Sequence, residues 1–308
     1  MSASYLTLLD LAKRTGSDAA LGLLEEITTV APELSVIPVR PRSGTTYKYT
    51  SRTGRPSGGF RSVNSGATPQ KSTYKQQLGE MFFFDGLMNV DEAIVKGDDR
   101  NLGDVLADEG SGILQDTILK IGTQLYSGTS ADAKGFTGFR AVVDPTMVVD
   151  ATGTGTVEDV WFAYLDDRQG IHFPIGNAGA IDINTWQRQQ ISDPNDSTKS
   201  FFAWVNNLSF YMGLHIPAKY CLGCIKNVTA AKPWTDNLTA DMIAKFPIGK
   251  APNRIFASRV GVSLLQKSRT AVGYQLAGPG GSAAAPLPTM SQEVPITRSD
   301  SVPTEAAW

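Results

Sequence analysis

Residues 34–79 read LSVIPVRPRSGTTYKYTSRTGRPSGGFRSVNSGATPQKSTYKQQLG, a run without a single Asp or Glu. Eight cations lie in it: Arg40, Arg42, Lys48, Arg52, Arg55, Arg61, Lys71 and Lys75. Residues 46–50 alternate Thr, Tyr and Lys, and Gly and Pro separate such short pieces. The pattern predicts a long β-hairpin arm. Because the arm has few apolar residues to bury, we expect it to move unless a partner holds it.

The next segment carries the opposite charge. From residue 80 to residue 116 only Lys96 and Arg100 oppose ten acids, which are Glu80, Asp85, Asp91, Glu92, Asp98, Asp99, Asp104, Asp108, Glu109 and Asp116. A hairpin with exposed edges and one charge sign requires a partner surface of the opposite sign. We therefore predict that the basic arm of one copy lies on the acidic segment of another. A solvated loop beside a solvated helix fits the same charges. A nucleic-acid patch is disfavoured because the aromatic residues of the arm form no stacking motif.

The overall composition describes a globular chain of 308 residues, of which 41% are hydrophobic and 19% charged. These values argue against a disordered protein, and a net charge of −2 argues against one that holds nucleic acid by bulk charge. Two cysteines cannot form the disulfide framework of a small secreted protein, and residues 1–10 lack a signal-peptide pattern. Residues 200–218 are uncharged, but polar side chains such as Asn206 and His215 make a membrane-spanning helix too costly. We expect a protein of a reducing cytoplasm.

The spacing of apolar residues assigns helices and strands. Leucines and isoleucines recur at helical spacing from Leu114 to Leu125, so one long helix is expected over residues 98–127, ended by Gly128. Residues 208–216 alternate strictly between apolar and other side chains, which predicts a strand with one buried face. The other predicted elements are helices at 4–15, 19–27, 238–246 and 259–269 and strands at 157–164, 170–174 and 255–257.

No motif indicates catalysis. Cys221 and Cys224 have the spacing of a redox pair or half a zinc site, but no second pair follows, so two semi-buried structural residues are the better interpretation. His172 and His215 lack metal-ligand spacing, and the strand phase places His215 on a polar face, so we interpret both as surface or hydrogen-bonded residues. Neither a phosphate loop nor a nucleophile elbow occurs. We predict a structural or binding protein that is not an enzyme and uses no cofactor or metal.

The order of these parts resembles that of the major capsid proteins of tailed bacteriophages, whose Hong Kong 97 fold is shared by encapsulin shells. The similar segments occur in order and cover nearly the whole chain: LLDLAKR at 8–14, YKYTSRTGRP at 47–56, RSVNSG at 61–66, GIHFPIG at 170–176 and TEAA at 304–307. The resemblance implies an α+β fold of five parts. They are an N-terminal arm (1–39), an extended β-hairpin loop (40–80), a peripheral domain with a long spine helix (81–135), an axial mixed α/β domain (136–258) and a C-terminal return to the peripheral and axial domains (259–308). The last strand is expected in the sheet of the peripheral domain.

The resemblance also implies a function, which is self-assembly into an icosahedral shell that encloses double-stranded DNA. Copies of the chain in hexamers and pentamers would be the main partner. A portal, a separate scaffolding protein and a decoration protein are further implied partners, and packaged DNA is bound non-specifically if at all. The protein would lie in the virion capsid after assembly in the host bacterial cytoplasm, with no membrane contact.

Each basic loop would lie over the acidic spine of a neighbour, here represented by Asp98, Asp99, Asp104, Asp108, Glu109 and Asp116. Two alternatives stay open at this point. One has the same fold and is an encapsulin-type compartment that loads an enzyme. The other belongs to a different class and is a cytoplasmic redox enzyme that uses Cys221 and Cys224.

Overall fold

The computed structural model describes residues 29, 31–97, 102–176, 182–193, 196, 198–271 and 285–306, and these form a mixed α+β fold. The helices are α1 (Glu33–Val36), α2 (Glu92–Gly97), α3 (Leu102–Ser127), α4 (Phe139–Val142), α5 (Asp236–Ala244) and α6 (Arg259–Ala271). The first ten strands are β1 (Val39–Pro41), β2 (Thr46–Gly54), β3 (Thr73–Glu80), β4 (Phe82–Asp91), β5 (Val148–Asp150), β6 (Thr156–Ala163), β7 (Phe173–Ile175), β8 (Asp182–Ile183), β9 (Gln187–Ser192) and β10 (Ser200–Met212). The remaining strands are β11 (Leu222–Val228), β12 (Arg254–Ala257), β13 (Met290–Ser291), β14 (Val294–Arg298) and β15 (Thr304–Ala306). The two helices expected before residue 28 lie outside the described residues.

One sheet, called here the first sheet, is built around a long antiparallel pair. Strands β4 and β10 pair over ten residues, and β1, β7, β8 and β9 complete the sheet. Leu208, Phe210 and Met212 are buried while the residues between them are not, which confirms the predicted alternation. The strand nevertheless runs over residues 200–212 and not 208–216: residues 203–212 pair with β4, and residues 200–205 pair with β9. Pairing with these two neighbours, and not alternation alone, sets the limits of the strand.

The long helix α3 packs across this sheet. It is continuous from Leu102 to Ser127, so the glycines within it do not break it, and its length is about 39 Å at about 1.5 Å per residue. Ile113 lies against Gly86 of β4, where an added Cβ would be 3.0 Å from the Ile113 side chain. Gly128 ends the helix as predicted. Its φ is +58°, and its Cα packs against the backbone of Gly138 so closely that a Cβ would not fit there.

The second sheet has β6 at its centre, between β11 and β12, and continues through β14 and β13 on one side and β5 on the other. Alternate residues of β6 enter two different cores. Trp161 and Ala163 join the core that contains α3 residues, whereas Val160 and Phe162 join the core that contains α5 and α6 residues. A strand with apolar cover on both faces needs apolar residues on both, and residues 160–163 of β6 provide a continuous apolar run.

The C-terminal segment joins the second sheet, so the expected return to the sheet of β4 and β10 is wrong. Strand β14 pairs in parallel with β12, and β15 pairs with β6. Glu158 is a buried carboxylate of β6 that explains the attachment, because Thr304 donates a hydrogen bond to it at 2.8 Å and Ser258 donates another. The range 136–258 is likewise divided between the sheets, since β7 to β10 lie in the first and β5, β6, β11 and β12 in the second.

A buried carboxylate also connects the segment before the hairpin to α3. Glu33 of α1 is fully buried, and the Tyr126 hydroxyl donates a 2.9 Å hydrogen bond to its Oε1. Burial raises the pKa of Glu33, and hydrogen bonds from Ser299 and Tyr126 offset only part of that rise. The other carboxylate oxygen, Oε2, is buried without a hydrogen-bond partner.

Candidate functional site

The candidate site begins with the hairpin, residues 46–80. Its strands β2 and β3 pair only with each other, in a two-stranded sheet separate from the two larger ones. Tyr47 lies opposite Gly79 and Arg52 opposite Tyr74, with a bulge before Gly54. Every residue from 55 to 71, at the hairpin tip, is exposed. The hairpin therefore projects from the body without adding a strand to either sheet.

Six of the predicted interface cations are exposed side chains of this hairpin: Lys48, Arg52, Arg55, Arg61, Lys71 and Lys75. Over the described part of the chain, none of the six forms an ion pair with a carboxylate. The Arg52 guanidinium instead lies 5.7 Å from the centroid of the Tyr74 ring. Hydrogen bonds from Ser72 and from Arg52 lower the pKa of Tyr74. Within the described part of the same chain, the positive charge of these six side chains is therefore not compensated by ion pairs.

The other two predicted cations, Arg40 and Arg42, precede the hairpin in the chain. Arg40 is in β1, opposite Pro174, and its guanidinium donates a 3.1 Å hydrogen bond to the carbonyl of Asp167. The Arg42 guanidinium lies 5.0 Å from the centroid of the Tyr47 ring. Both arginines therefore contact their own subunit, and the sequence pattern had no means of separating them from the projecting six.

The predicted acids lie on α3, which we call the acidic helix. Asp104 and Asp116 are exposed, and Asp108 and Glu109 are half-buried. Asp116 forms an ion pair with Lys120 one turn away, at 2.6 Å. The other two predicted acids, Asp98 and Asp99, lie outside the described residues. The structure does not bring the hairpin cations and the described acids of α3 together within one copy.

Apolar side chains accompany the charges on both surfaces. Phe60 and Val63 at the tip are 112% and 89% exposed, although they are large and hydrophobic. A groove of about 740 Å³ lies between the C-terminal half of the acidic helix and strands β4 and β10. Its lining is largely apolar and includes Phe82, Phe84, Phe136, Phe210 and Met212, with Asp85, Asp116 and Asp132 beside them. Phe60 and Val63 are thus large apolar side chains exposed within an otherwise polar tip.

A cluster at the hairpin root escaped the sequence analysis. The hydroxyl of Tyr47 lies 2.9 Å from Nδ1 of His215, and the Tyr49 ring packs edge-on against the same imidazole with centroids 4.5 Å apart. His172 lies 4.6 Å from His215, centroid to centroid, and both histidines are buried. The expected polar face at His215 is therefore wrong, while its interpretation as a hydrogen-bonded residue agrees with the structure. The strand ends at Met212, so its period does not extend to residue 215.

The two cysteines are buried and unbonded. Burial raises the pKa of Cys221 to about 11 and that of Cys224 well above its ordinary value. Redox cysteines have a lowered thiol pKa, so this environment favours the structural interpretation. Among the described residues, no group of three or more His, Cys, Asp or Glu could hold a metal ion, and no helix is both long and apolar enough to cross a membrane.

Comparison with solved structures identifies the fold. A chain of the cryo-EM-derived structure of bacteriophage Epsilon15 is similar at a TM-score of 0.73 and 17% identity, covering 100% of this chain and 98% of that one. The capsid of bacteriophage JBD30 gives a TM-score of 0.54 at 13% identity, with 98% and 97% covered. The SrpI encapsulin complex from Synechococcus elongatus gives only 0.46 at 11% identity, with 72% and 96% covered. The α+β chain therefore has the Hong Kong 97-like phage capsid fold, as predicted.

The family follows from the sequence. A family model described as major capsid protein GP7 matches residues 24–269, which is most of the chain, and this protein therefore belongs to that family. No curated protein sequence matches the chain significantly. The prediction of a tailed-phage shell protein is confirmed: copies of the chain associate to form the capsid of the virion. The family also favours a phage capsid over the encapsulin-type alternative.

Proposed function

We propose that the shell forms by contact between the hairpin of one copy and the acidic helix of a neighbour. One observation carries this proposal: six exposed cations lie on a hairpin that pairs only with itself, and none finds a carboxylate in the described part of its own chain. Asp104, Asp108, Glu109 and Asp116 on α3 offer the complementary charge, and Asp98 and Asp99 extend the acidic run in sequence. Repeated around five-fold and six-fold axes, such contacts build pentamers and hexamers of an icosahedral shell.

The free energies expected for exposed ion pairs and for buried apolar side chains give these two kinds of contact different roles. Exposed ion pairs contribute about 0–1 kcal/mol each, so they mainly orient the neighbours and speed their encounter. Burying an apolar side chain such as Phe60 or Val63 contributes about 1.5–3 kcal/mol. The groove beside Asp116 supplies an apolar surface next to the acidic helix. We infer that the tip of a second copy covers it, and that each contact is weak enough for misplaced subunits to leave.

The enclosed DNA and the remaining partners follow from the capsid role. A net charge of −2 agrees with double-stranded DNA that is enclosed rather than tightly gripped, because strong phosphate binding requires a large cationic surface. Assembly in the host bacterial cytoplasm, with a portal, a separate scaffolding protein and a decoration protein, belongs to the same proposal. The parts 40–80, 81–135 and 136–258 keep their proposed identity as extended loop, peripheral domain and axial domain, although the first sheet combines strands from all three ranges.

Charge reversal tests the interface. We expect the triple substitution Arg52→Glu, Arg55→Glu and Arg61→Glu to abolish closed shells, counted by electron microscopy of protein assembled alone or with scaffold. The free energy of unfolding of the unassembled subunit should change by less than about 0.5 kcal/mol, because exposed charges contribute little to folding. The matched control replaces the same three arginines with lysine, which keeps the charge and should keep the shells.

Restoration by a second reversal makes the test specific. Adding Asp104→Arg and Asp116→Arg to the triple variant should restore part of the shell yield, since the introduced arginines can then pair with the introduced glutamates across the interface. Assembly of the original triple variant at the yield of the unaltered protein would overturn the proposal. A triple variant that lost shell formation and subunit stability to the same degree would also overturn it.

A further inference from the structure

The hairpin root contains a single buried side chain. Of residues 46–80, Tyr47 alone is buried, although its strand is otherwise half-buried or exposed. Its ring lies against Gly79, the residue opposite it in β3, where an added Cβ would be 2.2 Å from Tyr47 Cζ. The guanidinium of Arg42 also packs on this ring, 5.0 Å from its centroid. Tyr47 is therefore held by both strands and by the segment that leads into the hairpin.

From this ring a chain of contacts leads into the body. Tyr47 shares a hydrogen bond with Nδ1 of His215, and Tyr49 contacts the same imidazole. His215 and His172 exchange two backbone hydrogen bonds, of 3.0 and 3.3 Å, and their ring planes are tilted by 43° to each other. His172 directly precedes β7, which pairs with β1 and β10 of the first sheet. The hairpin thus contacts the first sheet through two aromatic rings and two histidines, which we call the root cluster.

We propose that the root cluster (Tyr47, Tyr49, His172 and His215) positions the hairpin at one angle to the body and releases it when His215 is protonated. The sheets cannot supply this angle, because neither hairpin strand pairs with a strand of the body. The hairpin is also joined to the body by its two covalent ends, by Arg42, which packs on the Tyr47 ring, and by the Glu80 carbonyl, which lies beside Gly213.

The charges around the cluster make it sensitive to acid. Three sets of side chains face His215. They are His172 from the segment before β7, Arg40 and Arg42 from β1 and the residue after it, and the phenols of Tyr47 and Tyr49 from β2. Burial, followed by the charges of His172, Arg42 and Arg40, lowers the pKa of His215 to about 4. The pKa of His172 is lowered by burial too; its Nε2 is buried with no hydrogen-bond partner among the described residues, while Nδ1 lies 3.1 Å from the Gly170 carbonyl.

The sign of the effect follows from this lowered pKa. A histidine released to water regains its ordinary pKa near 6.5, so the released state binds more protons than the closed cluster. Closure is therefore fully favoured above pH 6.5 and weakens as the pH falls towards 4. The consequence for shells rests on the proposed function, since a hairpin at the wrong angle cannot reach the acidic helix of its neighbour.

A distance measurement on the unassembled subunit tests the cluster directly. Spin labels are attached to Ser57→Cys at the tip and Asp241→Cys on α5, both exposed positions, while the native cysteines are buried and stay unlabelled. At about pH 7.5 we expect a narrow distance distribution, and at about pH 4.5 one about twofold broader, because the closed and released states then coexist. A control pair at Gln189→Cys and Asp241→Cys, both in the body, should not change between these pH values.

Two variants make the result decisive. His215→Gln is neutral at every pH and should keep the narrow distribution in acid, whereas Tyr47→Phe, which removes only the hydroxyl, should broaden it already at about pH 7.5. An unchanged distribution in the parent protein, or the same acid broadening with His215→Gln, would overturn the proposal. Assembly plays no part in this measurement. If the distances behave as expected but arginine reversal leaves shells intact, the root cluster stands and the proposed interface fails.

Discussion

Strand β6 at the centre of the body and strand β2 of the hairpin have the same backbone geometry and opposite environments. All residues of β6 after the first are buried, and they fill two cores. In β2 only Tyr47 is buried, and the side chains of both faces meet water elsewhere along the strand. The body therefore draws its stability from its own chain. The hairpin buries little of its own surface, and under the proposed function it gains most of its stabilisation when another chain covers it.

The largest expected effect is the difference in stability between two phenylalanine-to-alanine substitutions, one in the body and one in the hairpin. Phe162→Ala removes a fully buried ring that packs among the core residues beneath β6, and it should lower the free energy of unfolding by about 3–5 kcal/mol. Phe60→Ala, in the exposed tip, should change it by less than about 0.5 kcal/mol and yet reduce shell yield. Denaturant unfolding of the unassembled subunit and particle counts by electron microscopy measure the two effects. Similar losses of stability from both variants would remove the distinction between the regions.

A smaller effect concerns the buried carboxylate of the body, which has no counterpart in the hairpin. Because burial raises the pKa of Glu33, the folded state is favoured most below pH 4.5 and loses stability as the pH rises through the folded pKa. Glu33→Gln keeps an acceptor for the Tyr126 hydroxyl without the charge. We expect it to raise the free energy of unfolding near neutral pH by about 1–3 kcal/mol and to flatten its pH dependence.

Denaturant unfolding of the parent and the variant across pH measures this effect. If the two proteins show the same pH dependence, Glu33 is not the group that titrates. The hairpin cations, which lie in water, should leave that dependence unchanged when they are replaced.

The smallest effect compares two tyrosines. Burial raises the pKa of Tyr126 in the body well above its ordinary value, whereas hydrogen bonds from Ser72 and Arg52 lower the pKa of Tyr74 in the hairpin. Arg52→Gln should therefore raise the pKa of Tyr74 towards its ordinary value and leave Tyr126 unchanged. Tyrosine NMR signals followed over pH measure both values, and Arg52→Lys is the matched control. A Tyr74 that titrates identically in all three proteins would mean that the Arg52 contact does not persist in solution.

Local patterns predicted those parts of the fold in which neighbouring residues share one environment. The alternation predicted over residues 208–216 is confirmed as far as Met212, and the helix expected to stop at Gly128 ends at Ser127. Strand β4 and the first half of β10 went unassigned, because each owes its structure to pairing with the other. The C-terminal strands were placed in the wrong sheet for a related reason: their partners, β12 and β6, are set by contacts between residues far apart in the chain.

The candidate site, too, was predictable from the sequence only where it depends on neighbouring residues. Net charge along the chain located the basic and acidic segments, because the charge of a segment is set by its own residues. It did not separate Arg40 and Arg42 from the six projecting cations, since that depends on where β1 pairs. Nor could it find the root cluster, whose members Tyr47, His172 and His215 are separated by up to 168 positions and meet only at the junction of the hairpin and the first sheet.

Composition and order along the chain were thus enough to indicate the family, the projecting arm and its charge. Which histidine touches the arm, which sheet receives the C-terminus and which cations remain without a carboxylate partner in the described structure were decided in three dimensions. The physical reason is range: charge and periodicity are properties of adjacent residues, whereas burial and hydrogen-bond partnership arise only when distant segments exclude water together.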